Sequence, residues 1–241
     1  MQFAPVLRAE WLKIRTVRPL PGALFALFAA TTAFSAIAGV SSTSDPGFDP
    51  LFTALSGVVP GQIAALSFGA MAVSAEYHDG ALRLSLAAVP RRGRWFAAKA
   101  TAIAVSTLAV SLPAALAALL VARAGLGGAA GGLTPAEQVR GVVGCAVYLT
   151  LMALFAAGLA TLLRSGMATL SLLIPFVLVV SFVIGDAAGT VTGFLPDRAG
   201  QVVLYETHDG TPGPWSGLAV TALWTAAALA AGARSLRRRD A

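Results

Sequence analysis

Apolar residues gather in six long runs, separated by short stretches that hold nearly all the charge. The runs lie near Pro21–Val40, Gly57–Ser74, Phe96–Val121, Gly141–Leu163, Ala168–Ala188 and Trp215–Ala233. Crossing the hydrocarbon of a bilayer takes about 20 apolar residues in a helix. Hydrocarbon offers backbone amides no partner, so each run must satisfy its own hydrogen bonds as a helix. Barrel strands would alternate apolar and polar residues, and that alternation is absent. The pattern predicts an all-α polytopic membrane protein with six transmembrane helices. Outer connections are expected near Ser41–Ser56, Ala122–Arg140 and Ala188–Pro214. Pro60, Pro113 and Pro175 fall within or near the starts of runs, where each removes a backbone donor and can kink a helix.

Two segments outside the runs carry their own patterns. In residues 1–19, Phe3, Leu7, Trp11 and Ile14 recur at helical spacing, with Arg8 and Arg15 elsewhere on the wheel. This predicts an amphipathic helix on the membrane surface, with Leu7, Trp11 and Ile14 on its apolar face. Glu10 and Leu12 blur the two faces, and a plain basic flank is the alternative. Before the last run, residues 189–213 mix apolar and turn-forming residues, as expected of short re-entrant helices at the outer face. Asp186, near the end of an apolar run, is either an interfacial acid or a residue in an exit path.

Composition narrows the function classes. The 241 residues are 57% hydrophobic and 12% charged, against about 25% charged in a soluble domain. A net charge of +6 has no soluble basic domain to carry it, so nucleic acid is not an expected partner. The basic residues flank the runs instead. Fourteen of the seventeen Lys and Arg fall on one side of a six-span arrangement, leaving Arg123, Arg140 and Arg198 on the other. Basic loops stay cytoplasmic, which predicts a multi-pass plasma-membrane protein with both termini in the cytoplasm. Cys145 lies within an apolar run, and His78 and His208 sit in different loops, so no metal-ligand spacing appears. A P-loop needs Gly-Lys followed by Ser or Thr. The only lysines, Lys13 and Lys99, do not follow glycine. No nucleophile elbow or zinc-protease motif is present either. A transport subunit without its own catalytic or cofactor site is expected.

The connection between the second and third runs, residues 75–95, is the most patterned stretch. Glu76-Tyr77, then Gly80, Leu82, Arg83 and Leu86, lead into Val89-Pro90-Arg91-Arg92. This resembles the cytoplasmic loop of ABC-2 type transporter permeases, particularly actinobacterial ones. Ala9-Glu10-Trp11-Leu12-Lys13 resembles the N-terminal helix of that group. Leu195-Pro196-Asp197-Arg198-Ala199-Gly200-Gln201 is similar to its outer segment, with Leu195, Pro196, Gly200 and Gln201 as the matching positions. Ala81 stands where threonine is common, and His78-Asp79 replaces a more basic pair. The resemblance implies a single ABC-2 transmembrane domain, exporting an amphipathic substrate by alternating access. It implies a separate ATPase subunit that binds ATP and magnesium, and a second permease copy or a paralogue. It also implies that Glu76, Tyr77, Gly80, Leu82, Arg83 and Leu86 couple to that ATPase. In chemical terms, Glu76 is expected to stay hydrated where the span ends. Gly80 permits a tight path, and Leu82 and Leu86 present one ridge to a soluble groove. Arg83 either orients docking or meets anionic lipid. An ion-coupled or energy-independent carrier is the alternative, though such carriers usually place ionisable groups at mid-membrane.

Overall fold

The computed structural model describes residues 3–41, 48–77, 81–89, 91–127, 132–180, 193–207 and 210–238, without the side chains at 83, 86, 88 and 180. Every regular element among them is helical. In order these are α1 (Phe3–Thr16), α2 (Pro19–Ser41), α3 (Pro50–Leu55) and α4 (Val58–Ser74), then a 3-10 turn (Ala75–Tyr77). Next come α5 (Ala81–Ala88), α6 (Arg92–Leu126), α7 (Pro135–Leu163) and α8 (Gly166–Pro175), which passes into a π-helical turn (Phe176–Val180). Last are α9 (Pro196–Gln201), a 3-10 turn (Val202–Leu204) and α10 (Pro214–Arg238).

Among the described residues, five helical segments are long and apolar enough to cross a membrane: Pro19–Ser41, Pro50–Tyr77, Arg92–Leu126, Pro135–Leu163 and Pro214–Arg238. The apolar helix Gly166–Val179 is shorter. It begins where the fifth run was expected, but the rest of that run, with Asp186, lies outside the described residues. Pro175 ends its α-helical part because the ring has no amide to donate and crowds the preceding turn. Several other boundaries differ from expectation, with α6 reaching Leu126 and α10 reaching Arg238, and two of the differences have clear local causes. The Ser41–Ser56 connection contains α3, started by the Asp49 side chain accepting from the Phe52 amide at 2.8 Å, with Pro50 in the first turn. Helix α7 starts at Pro135 rather than Gly141, because Thr134 and Glu137 form a reciprocal capping box.

Successive long helices alternate between two ends of the bundle. At one end, Tyr77 donates to the Thr161 carbonyl at 3.3 Å, and Arg92 donates to the Leu236 carbonyl at 2.8 Å. At the other, Gly39 meets the backbone of Ala122, and Arg123 donates to Gln138 at 2.6 Å. The first end holds most of the basic residues and is called the basic end below.

Helix α7 is the centre of the bundle. Of its most apolar window 72% is buried inside the chain, against 28% for α2 and 33% for α10. Lipid tails are as apolar as leucine, so the outer helices gain little by hiding leucine; close van der Waals contact brings them together instead. Small residues supply that contact. Added side-chain atoms at Gly69 would overlap the Ala153 backbone between α4 and α7, and at Gly158 they would meet Ala228 of α10. Hydroxyls along these faces bond back to carbonyls one turn earlier, as Thr107, Thr150 and Thr161 do at 2.8 Å.

Gly69→Val should force α4 and α7 apart and destabilise the protein by about 1–3 kcal/mol or more. Gly22, with nothing within 4 Å of an added carbon, should accept alanine with no loss. Thermal unfolding of the two purified variants against the unmodified chain checks the pair.

Candidate functional site

At the basic end, four charged side chains from three parts of the chain meet. Glu10 and Lys13 lie three residues apart on α1 and so share a face. Glu76 closes the segment that follows α4, and Lys99 stands in the second turn of α6. Lys99 Nζ lies 2.5 Å from Glu10 Oε2 and 2.6 Å from Glu76 Oε1. Lys13 Nζ lies 3.2 Å from Glu10 Oε1 and 2.7 Å from Glu76 Oε1. The third donor of Lys13 goes to Ser85 Oγ at 3.2 Å, and that of Lys99 to the Ala72 carbonyl at 3.4 Å. Ser85 on α5 donates in turn to Glu76 Oε2 at 3.0 Å. Glu10, Glu76 and Lys99 are almost wholly buried, whereas 38% of the Lys13 side chain is exposed. The Trp95 ring, one turn before Lys99, lies 5.5 Å from its ammonium and adds a cation–π contact.

A buried charge is tolerated only when it is paired and its remaining hydrogen-bonding capacity is met. Here two positive and two negative charges cancel, and all six ammonium donors have acceptors. The node thereby joins α1, the end of α4, α5 and α6. Burial opposes the charge on Lys13, but its hydrogen bond to Glu76 and the nearby Glu10 outweigh that. Its pKa rises above the ordinary lysine value.

This arrangement corrects two expectations. Glu76 is not hydrated at the end of a span; it is 4% exposed and holds two ammonium groups. The buried stripe of α1 runs through Val6, Glu10 and Ile14, so the polar Glu10 that blurred the faces lies at its centre. Ile14 is buried and Leu7 packs partly against the core, but Trp11 turns outward, as do Phe3 and Leu12. Arg15 stacks over the Trp11 ring at 5.8 Å.

Helix α5 is held from two sides. Leu82, 5% exposed, packs with Trp95, Phe96 and Leu236 within the chain. It is thus taken up by the chain's own core rather than presented as an outward ridge. Leu84 points outward instead and is 74% exposed. Tyr77 is half-buried and reaches α7 through Thr161. The backbones of Arg83 and Leu86 belong to α5, whereas His78, Asp79, Gly80 and Pro90 lie outside the described residues.

The opposite end holds the residues read as an outer segment. Leu195 is the extended residue before α9, and Pro196 opens the helix. Gly200 lies against the Tyr148 ring, where any side chain would collide. Gln201 donates to Tyr148 Oη at 3.2 Å and to Gln62 Oε1 at 3.3 Å, while Tyr148 donates to the same Gln62 oxygen. Tyr148 stands near the midpoint of α7, roughly 20 Å from either end at about 1.5 Å per residue. Nearby, Thr221 of α10 donates to the Pro196 carbonyl at 2.7 Å. The chain after α9 is fastened by Arg140, which donates to the Tyr205 and Glu206 carbonyls at 2.7 and 3.0 Å. Asp49 accepts from the Glu206 amide at 2.8 Å, and Phe52 stacks on Tyr205 with centroids 4.5 Å apart. Burial, with Asp49 close by, raises the pKa of Tyr205.

Lys99 and Ser85 were not singled out as site residues by the pattern, nor were Gln62 and Tyr148. The available signal was the rarity of such groups in apolar helices: Lys99 is a charge set among alanines, and Gln62 is the one amide of α4. Among the described residues no group of three or more His, Cys, Asp or Glu is placed to hold a metal. No protein-family model matches the chain, and no curated protein matches it significantly.

Lys99→Met removes the closest partner of Glu10 and should destabilise by about 3–5 kcal/mol. The double variant Glu10→Leu with Lys99→Met should lose much less, because no buried carboxylate is then left without its lysine. Thermal unfolding of the single and double variants measures the difference.

The raised pKa of Lys13 sets a pH window. A pKa higher in the folded chain makes the contribution fully present below about 10.5 and lost as pH rises through the raised value. Stability should therefore hold from neutral pH to about pH 10 and fall above it, and less steeply in Lys13→Met. A pH series of melting curves on both proteins checks this.

Proposed function

We propose that the chain is the permease subunit of an ATP-binding cassette exporter of the ABC-2 type, moving an amphipathic substrate across the plasma membrane. A separate ATPase subunit binds ATP and magnesium and drives alternating access, and a second permease copy or a paralogue completes the pathway. In this reading the helix Gly166–Val179 and the residues after it form the sixth span. Both termini then face the cytoplasm, where the basic end lies. Helix α9 is re-entrant: it enters from the outer face and meets Tyr148 at the middle of α7.

One observation carries the reading further than the sequence motifs do. Helix α5 stands at the basic end and is bonded through Ser85 to Glu76, which in turn holds Lys13 of α1 and Lys99 of α6. A push on α5 from the cytoplasm therefore reaches α4 and α6 through charge-assisted bonds, which are shorter and stronger than neutral ones. Leu82 anchors α5 to the permease, and Leu84 is an apolar group left facing outward for an ATPase groove. Two of the buried carboxylates, Glu10 and Glu76, lie at the basic end and are neutralised there by Lys13 and Lys99, whereas a third, Asp197, lies on α9 within electrostatic reach of Tyr148.

Ser85→Val should leave ATPase binding intact while lowering export by about tenfold, because the bond from α5 to Glu76 is gone. Co-purification of the ATPase, and transport in vesicles containing the assembled complex, measure the two effects. Transport that persists without any ATPase and collapses with a protonophore would replace this reading with a proton-coupled carrier.

A further inference from the structure

The last turn of α10 and the first turn of α6 bring six arginines together at the basic end. Arg234, Arg237 and Arg238 stand at i, i+3 and i+4, so they share one face of α10. Arg91, Arg92 and Arg94 surround the start of α6. The two sets meet. Arg92 donates to the Leu236 carbonyl at 2.8 Å, and a side-chain carbon on Gly93 would lie 3.3 Å from the Arg237 guanidinium. Neither helix contains an acid. Arg91, Arg234, Arg237 and Arg238 are exposed and form no ion pair among the described residues. The adjoining helix ends carry partial charges of about +0.5 and −0.5, which cancel, so the guanidinium charge remains.

Depth and surroundings say what meets that charge. Residues 214–233 supply the roughly 20 residues that cross the hydrocarbon. Arg234 is then the first residue of α10 at headgroup level, with Arg237 and Arg238 about 5–6 Å beyond it. On the same face, one to three turns toward mid-membrane, Leu223, Ala227 and Ala230 are exposed. No other described part of the chain covers them. A soluble partner would meet the arginines from the aqueous side and leave this track bare. An acyl chain ending in a phosphate fits both parts, since the guanidinium fork matches phosphate oxygens in pairs.

We propose that the arginine face of α10 binds the headgroup phosphate of one anionic phospholipid in the leaflet at the basic end. The phosphate sits at Arg234 and Arg237, and an acyl chain lies along Ala230, Ala227 and Leu223. Arg91, Arg92 and Arg94 add to the positive field from the neighbouring helix. Only a bilayer around the bundle is required; the ATPase and the transported substrate play no part.

Native mass spectrometry of the purified full chain, titrated with phosphatidylglycerol or phosphatidylcholine, tests the site. One phosphatidylglycerol should be retained per chain, about tenfold more tightly than phosphatidylcholine. The double variant Arg234→Gln with Arg237→Gln alters only exposed positions and should abolish that preference while leaving phosphatidylcholine binding unchanged. Arg8→Gln with Arg18→Gln removes the same charge from exposed positions elsewhere in the N-terminal segment and should keep the preference. Equal retention of the two lipids by the unmodified chain overturns the proposal. So does an undiminished preference in the α10 variant; a concurrent loss of ATPase co-purification would assign the arginines to a protein surface instead. An equal loss in the Arg8 and Arg18 variant would show diffuse attraction without a site and would overturn it as well. Displacement of the lipid by millimolar inorganic phosphate would mark a free-anion site, with the same consequence.

Discussion

Two carboxylates and two ammonium groups share one buried volume at the basic end, and much of the architecture is arranged around satisfying them. Glu10 and Glu76 would each be costly to bury alone, and so would Lys99. Together they cancel, and the geometry leaves no ammonium donor without an acceptor. Such a node adds little net stability compared with an apolar core of the same shape. What it supplies is register. Helix α1 docks only where Glu10 and Lys13 meet Glu76 and Lys99, and α5 only where Ser85 completes the set. Sliding α1 by one residue would strand a charge in an apolar wall, and sliding α5 would take the Ser85 hydroxyl from Glu76 and Lys13.

The interior of the bundle is held by a different principle. Between α4, α7 and α10 the contacts are made largely by backbone atoms brought together at glycine and alanine, with most hydroxyls turned back on their own helices and Thr225 of α10 within reach of the Leu151 carbonyl of α7. Little there is directional. Polar contacts converge most densely at two places: the charged node at one end, and the Gln62–Tyr148–Gln201 set deep toward the other. Each attaches a short peripheral helix, α5 or α9, to the long ones. The long helices form a common scaffold, and the two short helices are registered on it by hydrogen bonds rather than by area.

The long helices were legible because hydrocarbon imposes length and apolarity directly on composition. Their ends were less so. Asp49-Pro50 and Thr134-Pro135-Ala136-Glu137 carry standard helix-start chemistry, and reading them would have placed α3 and the first turn of α7. The node was illegible for another reason. Glu10, Lys13, Glu76 and Lys99 are dispersed along the chain, and each has an innocent local reading as a flank or a loop end. Only the packing of α1 against α6 shows that they answer one another. The inward turn of Leu82 is similar: helical spacing ranks apolar positions on α5 but does not say whether the neighbour is this chain or another. Gln201 was marked through its motif, but its partners on α4 and α7 lie far away in sequence.

The order of the charged residues along the chain has a consequence for biogenesis. All four lie within the first hundred residues, and they come together once the start of α6 has left the ribosome. The N-terminal helices can then settle their mutual register while α7 is still being made. Helix α7, the most enclosed element, inserts against a preformed wall and has only to find the groove at Gly69. Until Lys99 arrives, Glu76 has Lys13 as its lysine partner, the one member of the node that remains partly in contact with water. The nascent chain therefore has a way to keep its early carboxylates solvated and paired before the last charge seals them away.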